Sequence, residues 1–211
     1  MIEHAHWIQT LGGRQLDYLD PRPEAIHWPT VATVLARVPR YAGHTERGTY
    51  SVAQHCEQGA RAIVRDTGRR DYAAAFLLHD VHEYVIGDDA NPKVSALAAM
   101  ADEMFPCDHG GEIVKGVFRE LKRRLDVAIH YAAGFDAFPL DPDTSAVVRR
   151  YDLRMLRTER DALLSTPPQP WVDAVEQAEP IEDLSIAPCS ERYARSRFLV
   201  ALHELCPRVI L

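Results

Sequence analysis

Four polar residues lie in segments that otherwise resemble apolar helix faces: His55, the adjacent pair His79 and Asp80, and Asp152. A polar side chain on a core-facing surface needs a partner, because burying it alone costs free energy. One divalent cation satisfies two imidazoles and two carboxylates together, and mixed nitrogen and oxygen ligation suits Mn, Co, Zn or Fe, with Mg as a further candidate. The residue types therefore predict a metal site.

The helix that carries His55 has clear ends in the sequence. Ser51 followed by Gln54 predicts a capping box at its start, and Gly68 predicts its end. Helical spacing places apolar residues on the same face as His55, and this inner stripe consists of Val52, His55, Cys56, Gly59 and Ile63.

A third helix, which we expect Asp71 to cap, carries the His79-Asp80 pair. Its predicted inner stripe consists of Phe76, His79, Asp80, Glu83 and Gly87. Adjacent residues on a helix point about 100° apart, so His79 and Asp80 can border one pocket only where several helices converge. His82-Glu83 begins like a zinc-protease helix, but the second histidine of that motif is absent from the sequence.

Asp152 belongs to a distant helix, which Asp141 caps and Pro142 opens. The predicted inner stripe of this helix contains Val148, Asp152, Met155, Leu156, Glu159 and Leu163. A cation bound by His55, His79-Asp80 and Asp152 would therefore join three separate elements, and its loss would loosen the fold.

The remaining elements complete a mainly α architecture with a small N-terminal β-hairpin. Alternating residues around Gly12-Gly13 predict the hairpin at about 7–16, and helical periodicity predicts a helix from near Thr30 to Pro39. A helix over about 111–133 has a predicted apolar stripe of Ile113, Val117, Leu121, Leu125 and Ile129. Residues 165–189 form a Pro-rich loop, and a last helix over 190–205 is expected to pack Tyr193, Phe198, Leu199 and Leu202.

Composition limits the class of protein. A chain of 211 residues, 46% hydrophobic and 26% charged, suits one compact domain over 1–211. The net charge of −7, without a long basic run, argues against nucleic acid as a partner and favours a small molecule.

The cysteines and the N-terminal segment bear on the compartment. Widely spaced Cys56, Cys107, Cys189 and Cys206 show no metal-binding or redox spacing, so we expect reduced thiols. No segment has the length of a membrane span, and the N-terminus lacks the pattern of a signal peptide, which together predict a cytoplasmic protein with no membrane partner.

The ordered set of polar residues resembles the HD-domain superfamily of metal-dependent phosphohydrolases, whose pattern is His, then His-Asp, then a distant Asp. More narrowly, the chain is similar to a compact branch that includes bacterial deoxyribonucleoside 5′-monophosphatases and phage deoxynucleotide (dATP-type) triphosphohydrolases. The resemblance extends over 7–205, and its motifs are Ile8-Gln9-Thr10, Gly13-Arg14, Asp20-Pro21, Arg40-Tyr41 ahead of Ser51 to His55, His79-Asp80 to Gly87-Asp88, and Tyr151-Asp152 to Glu159.

The resemblance implies a role for each matching residue. The metal ligands would be His55, His79, Asp80 and Asp152. Glu83 and Asp88 would serve as acid/base groups beside a bound water. Arg40 would hold the substrate phosphate, for which a guanidinium fork is well shaped, and His44 would lie at the mouth of the pocket.

The implied activity is divalent-metal-dependent hydrolysis of deoxynucleotides, with deoxyribonucleoside 5′-monophosphates as the first expectation. A triphosphohydrolase is the alternative, which the hairpin favours. Two further alternatives are a non-catalytic metal-containing nucleotide-binding module and a phosphodiesterase, although more ligating histidines would be expected in the latter. Related proteins form dimers or larger assemblies, so a homo-oligomer is also compatible with the resemblance.

The sequence departs from the family pattern at two places. His82 occupies a position where relatives usually have a small residue, and it either faces a neighbouring helix or adds to the polar lining of the site. Gly87-Asp88-Asp89-Ala90 replaces the more common Gly-Asp-Leu-Pro.

Overall fold

A computed structural model describes residues 6–88, 91–106 and 109–210, so Asp89, Ala90 and Cys107 lie outside the described residues. The chain is mainly helical, with a small antiparallel hairpin near its N-terminus, as the sequence predicts. The elements are β1 (Trp7–Thr10), β2 (Arg14–Asp17), α1 (Trp28–Leu35), α2 (Val52–Thr67), α3 (Arg70–Leu78), α4 (Glu83–Ile86), α5 (Asn91–Met104), α6 (Gly110–Ala132), α7 (Pro142–Leu163), α8 (Asp173–Glu176) and α9 (Glu191–Leu205).

The hairpin is anchored to the helical body. Ile8 pairs with Leu16, and Gly12 and Gly13 adopt positive φ angles of 78° and 71° in the connecting turn. Glycine tolerates this left-handed conformation without steric cost, which is why the Gly-Gly pair predicted the turn. Just past β2, the hydroxyl of Tyr18 donates a hydrogen bond to the carbonyl of Val85 at 2.8 Å, so the hairpin contacts the segment that follows His79-Asp80.

Helix α2 has the ends that the sequence predicts. Ser51 and Gln54 form the capping box, and Gly68 ends the helix in the left-handed conformation, with φ at 68°. The predicted inner stripe is buried along its whole length. His55 is therefore enclosed on the core side of α2, where its ring cannot exchange hydrogen bonds with bulk water.

The prediction of one continuous third helix is wrong. Helix α3 begins at Arg70, so Asp71 lies inside the first turn and not at the cap, which Arg69 occupies. The helix ends at Leu78, and the backbone then tightens: the N–H groups of residues 79, 81, 83 and 84 each donate to the carbonyl three residues earlier. Such 3-10 winding brings residues three apart onto the same side, which sets Asp80 beside Glu83.

The predicted α1 and α6 need smaller corrections. Pro29 in the first turn starts α1 slightly before the predicted Thr30, because proline suits the first helical position. In α6, Leu125 and Ile129 are buried as expected, but Ile113 and Val117 are 57% and 64% exposed. The N-terminal half of α6 packs on α5, a helix that the sequence analysis did not predict.

The last two long helices begin as predicted. Asp141 caps α7 through the N–H of Thr144, and Ser190 caps α9 through the N–H of Tyr193. Tyr193, however, is 57% exposed and does not join the core. The buried stripe of α9 consists of Ala194, Phe198, Ala201 and Leu202, and Tyr193 points about 100° away from its neighbour on that stripe.

The buried apolar side chains of α1, α2, α3, α7 and α9 form a common cluster, which α6 joins at its C-terminal half. Helices α2 and α3 pack closely, and α7 contacts both of them. The helices that bear His55 and Asp152 therefore meet the helix that leads into His79-Asp80. Among the described cysteines, Cys56, Cys189 and Cys206 are free thiols, as expected. No helix of the described ranges combines the length and the apolar character needed to cross a membrane.

Candidate metal centre

His55 projects from the buried face of α2, and one of its ring nitrogens is fixed by a hydrogen bond. Its Nδ1 atom lies 2.6 Å from Oε1 of Glu159 on α7, and a carboxylate can only accept from an imidazole N–H at that distance. Nδ1 therefore carries the proton, and the Nε2 lone pair is left for a different partner. Glu159 is completely buried, so this orientation is fixed on both sides.

His79 stands where α3 ends, and its ring is oriented in the same manner. Nδ1 donates to the backbone carbonyl of Phe76 at 2.6 Å, which again leaves the Nε2 lone pair available. The ring of Phe76 packs against both histidines, with centroid distances of 5.5 Å to His55 and 4.4 Å to His79. The two imidazoles are consequently held with their Nε2 atoms only 3.4 Å apart.

The carboxylates of Asp80 and Asp152 complete a tight cluster around these two nitrogens. His55 Nε2 lies 3.4 Å from Asp152 Oδ1 and 3.7 Å from Asp80 Oδ2. His79 Nε2 lies 3.2 Å from Asp80 Oδ2 and 3.7 Å from Asp152 Oδ1. Ligands about 2.1 Å from a tetrahedral cation lie about 3.4 Å from one another, so the observed spacing fits a metal with nitrogen and oxygen ligands. A ligand atom of each residue lies within 4.8 Å of the others.

The protonation pattern of the cluster also favours a cation. When both imidazoles are neutral, their Nε2 lone pairs face the two carboxylates. None of these four groups can then donate a proton to another. Burial lowers the pKa of His79, but the neighbouring Asp80 and Asp152 outweigh it and raise that pKa well above its usual range. The cluster therefore attracts positive charge, which a divalent ion could supply while displacing protons.

Arg40 lies beside the cluster, as the resemblance implied. Its guanidinium is 9% exposed and lies 3.4 Å from Asp80 Oδ2 and 3.3 Å from Glu159 Oε2. The backbone next to it is unusual, because Tyr41 and Ala42 both have positive φ angles, of 57° and 50°. Non-glycine residues rarely adopt this conformation, and surrounding contacts must hold it.

Glu159 is a site residue to which the sequence analysis assigned no role. Besides His55, it accepts a hydrogen bond from the hydroxyl of Tyr41 at 2.8 Å. A carboxylate that fixes the second nitrogen of a ligating histidine raises the basicity of the ring and sets its direction. The signal was present in the sequence, because Glu159 occupies the inner stripe of α7 two turns after Asp152.

Glu83 and Asp88 flank the cluster. Glu83 is 4% exposed, and within the described ranges its Oε2 atom meets no hydrogen-bond partner. Burial, together with repulsion from Asp80 and Asp88, raises the pKa of Glu83 to about 10. Asp88 accepts a hydrogen bond from the N–H of Tyr41 at 3.1 Å, and burial is the main cause that raises its pKa.

His44 is the predicted site residue that lies apart from this assembly. It follows the 3-10 turn Arg40–Gly43, and its backbone N–H donates to the carbonyl of Tyr41. Its side chain is exposed. The structure thus brings together the four predicted ligands, Arg40, Glu83 and Asp88, while a substrate-binding role for His44 stays a prediction.

Comparison with known proteins adds little to the geometry. No protein-family model matches the sequence. The chain is similar to an uncharacterized protein of Rhodobacter capsulatus, with 36% identity over 135 residues that cover 62% of this chain. The chain spans 60% of the length of that relative. Because the relative is itself uncharacterized, it gives no function to compare, and the site geometry is what bears on function.

Proposed function

We propose that this protein is a divalent-metal-dependent phosphohydrolase of the HD-domain type, with deoxynucleotides as substrates. The observation that carries the proposal is the convergence of His55, His79, Asp80 and Asp152, from three elements, at distances suited to one cation. The ordered pattern of these residues in the sequence is the reason for preferring a hydrolase over other metal proteins.

A bound divalent cation would supply Lewis-acid activation of a water molecule and of a phosphate oxygen. The two histidines and two aspartates would hold it. A fully enclosed structural zinc site has no open position, whereas the Asp152 side chain is 39% exposed, so this side of the cluster is accessible from solvent. Substrate access at Asp152 agrees with a catalytic site better than with a structural one.

Arg40 is the group that would bind the substrate phosphate. Its guanidinium contacts two carboxylates at 3.3–3.4 Å, which are long distances for charge-assisted hydrogen bonds. A phosphate beside Asp80 would offer Arg40 shorter and bidentate contacts without requiring the side chain to leave its buried position. Arg40 therefore orients the phosphate and stabilises the charge that develops on it in the transition state.

Glu83 and Asp88 would provide the proton transfers. A buried carboxyl group with a pKa of about 10 is protonated at neutral pH, so Glu83 can donate a proton to the departing oxygen. Asp88, which accepts a hydrogen bond from the N–H of Tyr41, can accept the proton of the attacking water. Both assignments use a carboxyl group whose environment raises its pKa.

The preference for a deoxyribonucleoside 5′-monophosphate rests on the resemblance around Arg40 and Glu83. The hairpin of β1 and β2 favours the triphosphohydrolase alternative. The deciding experiment incubates the purified protein with a panel of deoxynucleoside mono- and triphosphates and added Mn, Co, Zn or Mg. Orthophosphate from monophosphates is the expected product, and triphosphate release would identify the alternative. Tight nucleotide binding with neither product would contradict a hydrolase.

Glu83→Gln tests the catalytic assignment separately from metal binding. We expect the variant to retain the cation at the four-residue cluster and to lose about two to four orders of magnitude in kcat, the scale of a lost acid/base group. Asp88→Asn is the matched comparison. A rate unchanged in Glu83→Gln and abolished in Asp88→Asn would transfer the acid role to Asp88.

A further inference from the structure

His82, the residue by which this chain departs from its family pattern, is buried next to the centre. Its side chain is 5% exposed, and Nδ1 lies 2.8 Å from Oδ1 of Asp126 on α6. As for His55, the carboxylate accepts a hydrogen bond from the Nδ1–H group, so the proton of the neutral ring lies on Nδ1. Its other nitrogen, Nε2, is fully buried and meets no hydrogen-bond partner in the described part of the chain.

This arrangement matches that of both histidines in the predicted cluster. The Nδ1 atoms of His55, His79 and His82 each donate to an oxygen, of Glu159, Phe76 and Asp126 respectively. Metal-ligating histidines characteristically use one nitrogen in this way and direct the other at the ion. A histidine that served only to fill space would not need a carboxylate to fix its tautomer, and the side chain of Asp126 that fixes this one is 16% exposed.

Two carboxylates lie close to His82. Asp80, His82 and Glu83 each offer a ligand atom, and these three atoms lie within 4.8 Å of one another. The 3-10 winding after α3 produces this grouping, because Asp80 and Glu83 are three residues apart and lie on one side of the turn. The Oε2 atom of Glu83 is buried and has no partner among the described residues, so this group of three residues contains two buried polar atoms without a partner, Nε2 of His82 and Oε2 of Glu83.

We propose that Asp80, His82 and Glu83 form a second divalent-cation site, which shares Asp80 with the first. An aspartate has two oxygens, and Oδ2 of Asp80 already faces His55 and His79. With one oxygen on each ion, Asp80 would bridge two cations about 3.5–4 Å apart, the separation found in two-metal hydrolytic sites. Mn²⁺ suits this mixed nitrogen and oxygen set.

The second site changes the division of roles within the proposed mechanism. When it is loaded, Glu83 is a ligand and carries no transferable proton, so Asp88 becomes the acid/base group. The inference does not depend on hydrolysis, because cation binding can be counted in a protein that turns nothing over. Its failure is therefore distinguishable from failure of the proposed function.

The test is a Mn²⁺ titration of the metal-free protein, with bound metal counted per chain and electron paramagnetic resonance recorded at each addition. We expect two ions per chain at saturation, and a magnetically coupled signal as the second ion binds beside the first. Saturation at one ion, or two ions without coupling, would overturn the proposal. Water alone would then satisfy His82 and Glu83.

Variants locate the second ion. His82→Leu should bind one Mn²⁺ per chain and lose the coupled signal while the first site keeps its affinity. His130→Gln is the control, because His130 is equally buried and also has an unpartnered Nε2 atom in the described structure, yet belongs to neither group of ligands. It should bind two ions.

Asp126→Asn keeps the proposal testable if His82→Leu fails to fold. Loss of the carboxylate that orients His82 should weaken the second ion about 10–100-fold and leave the first unchanged. Circular dichroism melts confirm that each variant is folded before its metal is counted. Two coupled ions retained in His82→Leu, or unchanged affinity for both ions in Asp126→Asn, would contradict the assignment.

Discussion

The imidazole rings at the metal centre are set by their Nδ1 atoms before any cation binds. Glu159 holds His55 and the carbonyl of Phe76 holds His79, each at 2.6 Å. Both Nε2 atoms therefore converge on the carboxylates of Asp80 and Asp152. Preorganisation of this kind would let a cation bind without rearrangement of these side chains.

Asp80→Asn should abolish metal binding and, with it, any phosphate release. The amide keeps the size of the side chain but removes the charge that Asp80 places 3.2 Å from Nε2 of His79. Metal analysis after dialysis measures the effect. Asp66→Asn is the control, because Asp66 is a partly buried carboxylate that accepts from Tyr151 away from the cluster. Normal metal content in Asp80→Asn would remove Asp80 from the ligand set.

Glu159→Gln should weaken cation binding about 10–100-fold without removing a ligand, because the neutral amide no longer raises the basicity of His55. Competition against a chromophoric chelator gives the dissociation constants. Glu57→Gln is a matched control on α2: Glu57 is also buried and pairs with Arg61 and Arg197, but it does not contact the site. Equal affinities for the two variants would show that Glu159 has no positioning role.

Metal affinity should fall as the pH is lowered. Burial lowers the pKa of His79, but the neighbouring Asp80 and Asp152 outweigh this effect and raise that pKa well above its usual range. An ordinary imidazole has a pKa of about 6.5. Protons should therefore compete with the cation for His79 at a higher pH than they would for an ordinary imidazole. The folded metal-free state gains protons below that raised pKa, and binding must release them. Calorimetric titrations in buffers of different ionisation enthalpy measure the released protons, and zero release would contradict this protonation state.

At the scale of elements, most of the secondary structure was predictable because its signals are local. The capping box at Ser51, the Asp141-Pro142 start of α7 and the Gly12-Gly13 turn each depend on a few adjacent residues. The break after Leu78 was not predictable in this way. Helical periodicity continues through the sequence beyond Leu78, so a local pattern does not mark the change to 3-10 winding.

The exposed half of α6 was missed for a related reason. Ile113 and Val117 continue the apolar period of Leu125 and Ile129, and a pattern in one sequence does not reveal which part of a helix reaches the core. Close backbone packing explains the separate α5–α6 pair: a Cβ on Gly110 would lie 2.5 Å from the carbonyl oxygen of Ala101. The grouping of His55, His79, Asp80 and Asp152, in contrast, was predictable from their order in the sequence.

Gly59→Ala should disturb the metal centre from a distance. A Cβ there would overlap the ring of Phe76, which itself packs on His55 and His79, so this ring or the helices that carry it must shift. We expect a loss of about 1–3 kcal/mol in the free energy of unfolding, the usual cost of overpacking, together with weaker metal binding. Urea denaturation and metal titration measure the two effects.

Gly116→Ala provides the comparison for that variant. Gly116 lies within α6, and a Cβ there meets nothing within 4 Å. Alanine in an open helical position should raise the free energy of unfolding by about 0.5–1 kcal/mol and leave the metal site unchanged. If both glycine variants behaved alike, close contact between α2 and α3 would not be what aligns the histidines.

For the whole molecule, the cation is expected to act as a cross-link. It would join helix α2, helix α7 and the turn that follows α3. These elements are distant in sequence and already share one hydrophobic cluster. A ligand that binds the folded state stabilises it by about 2.7 kcal/mol at about a hundred times its Kd. Loss of this stabilisation on removal of the cation should lower Tm by roughly 5–10 °C in a chain of this size.

Calorimetry with and without a chelator measures this difference. The chelator should lower the Tm of the wild-type protein and leave the Tm of Asp80→Asn unchanged, since that variant has no bound cation to lose. A chelator effect of equal size in both proteins would show that the stabilising ion lies elsewhere.

X-ray absorption spectroscopy of the protein loaded with one equivalent of Mn²⁺ tests the metal centre most directly. The account predicts a first coordination shell of nitrogen and oxygen atoms with the multiple-scattering signature of two imidazole rings. The same spectrum from Asp152→Asn should lose one oxygen and keep both rings. A shell of oxygens alone, without imidazole scattering, would contradict the convergence of His55 and His79 on a cation.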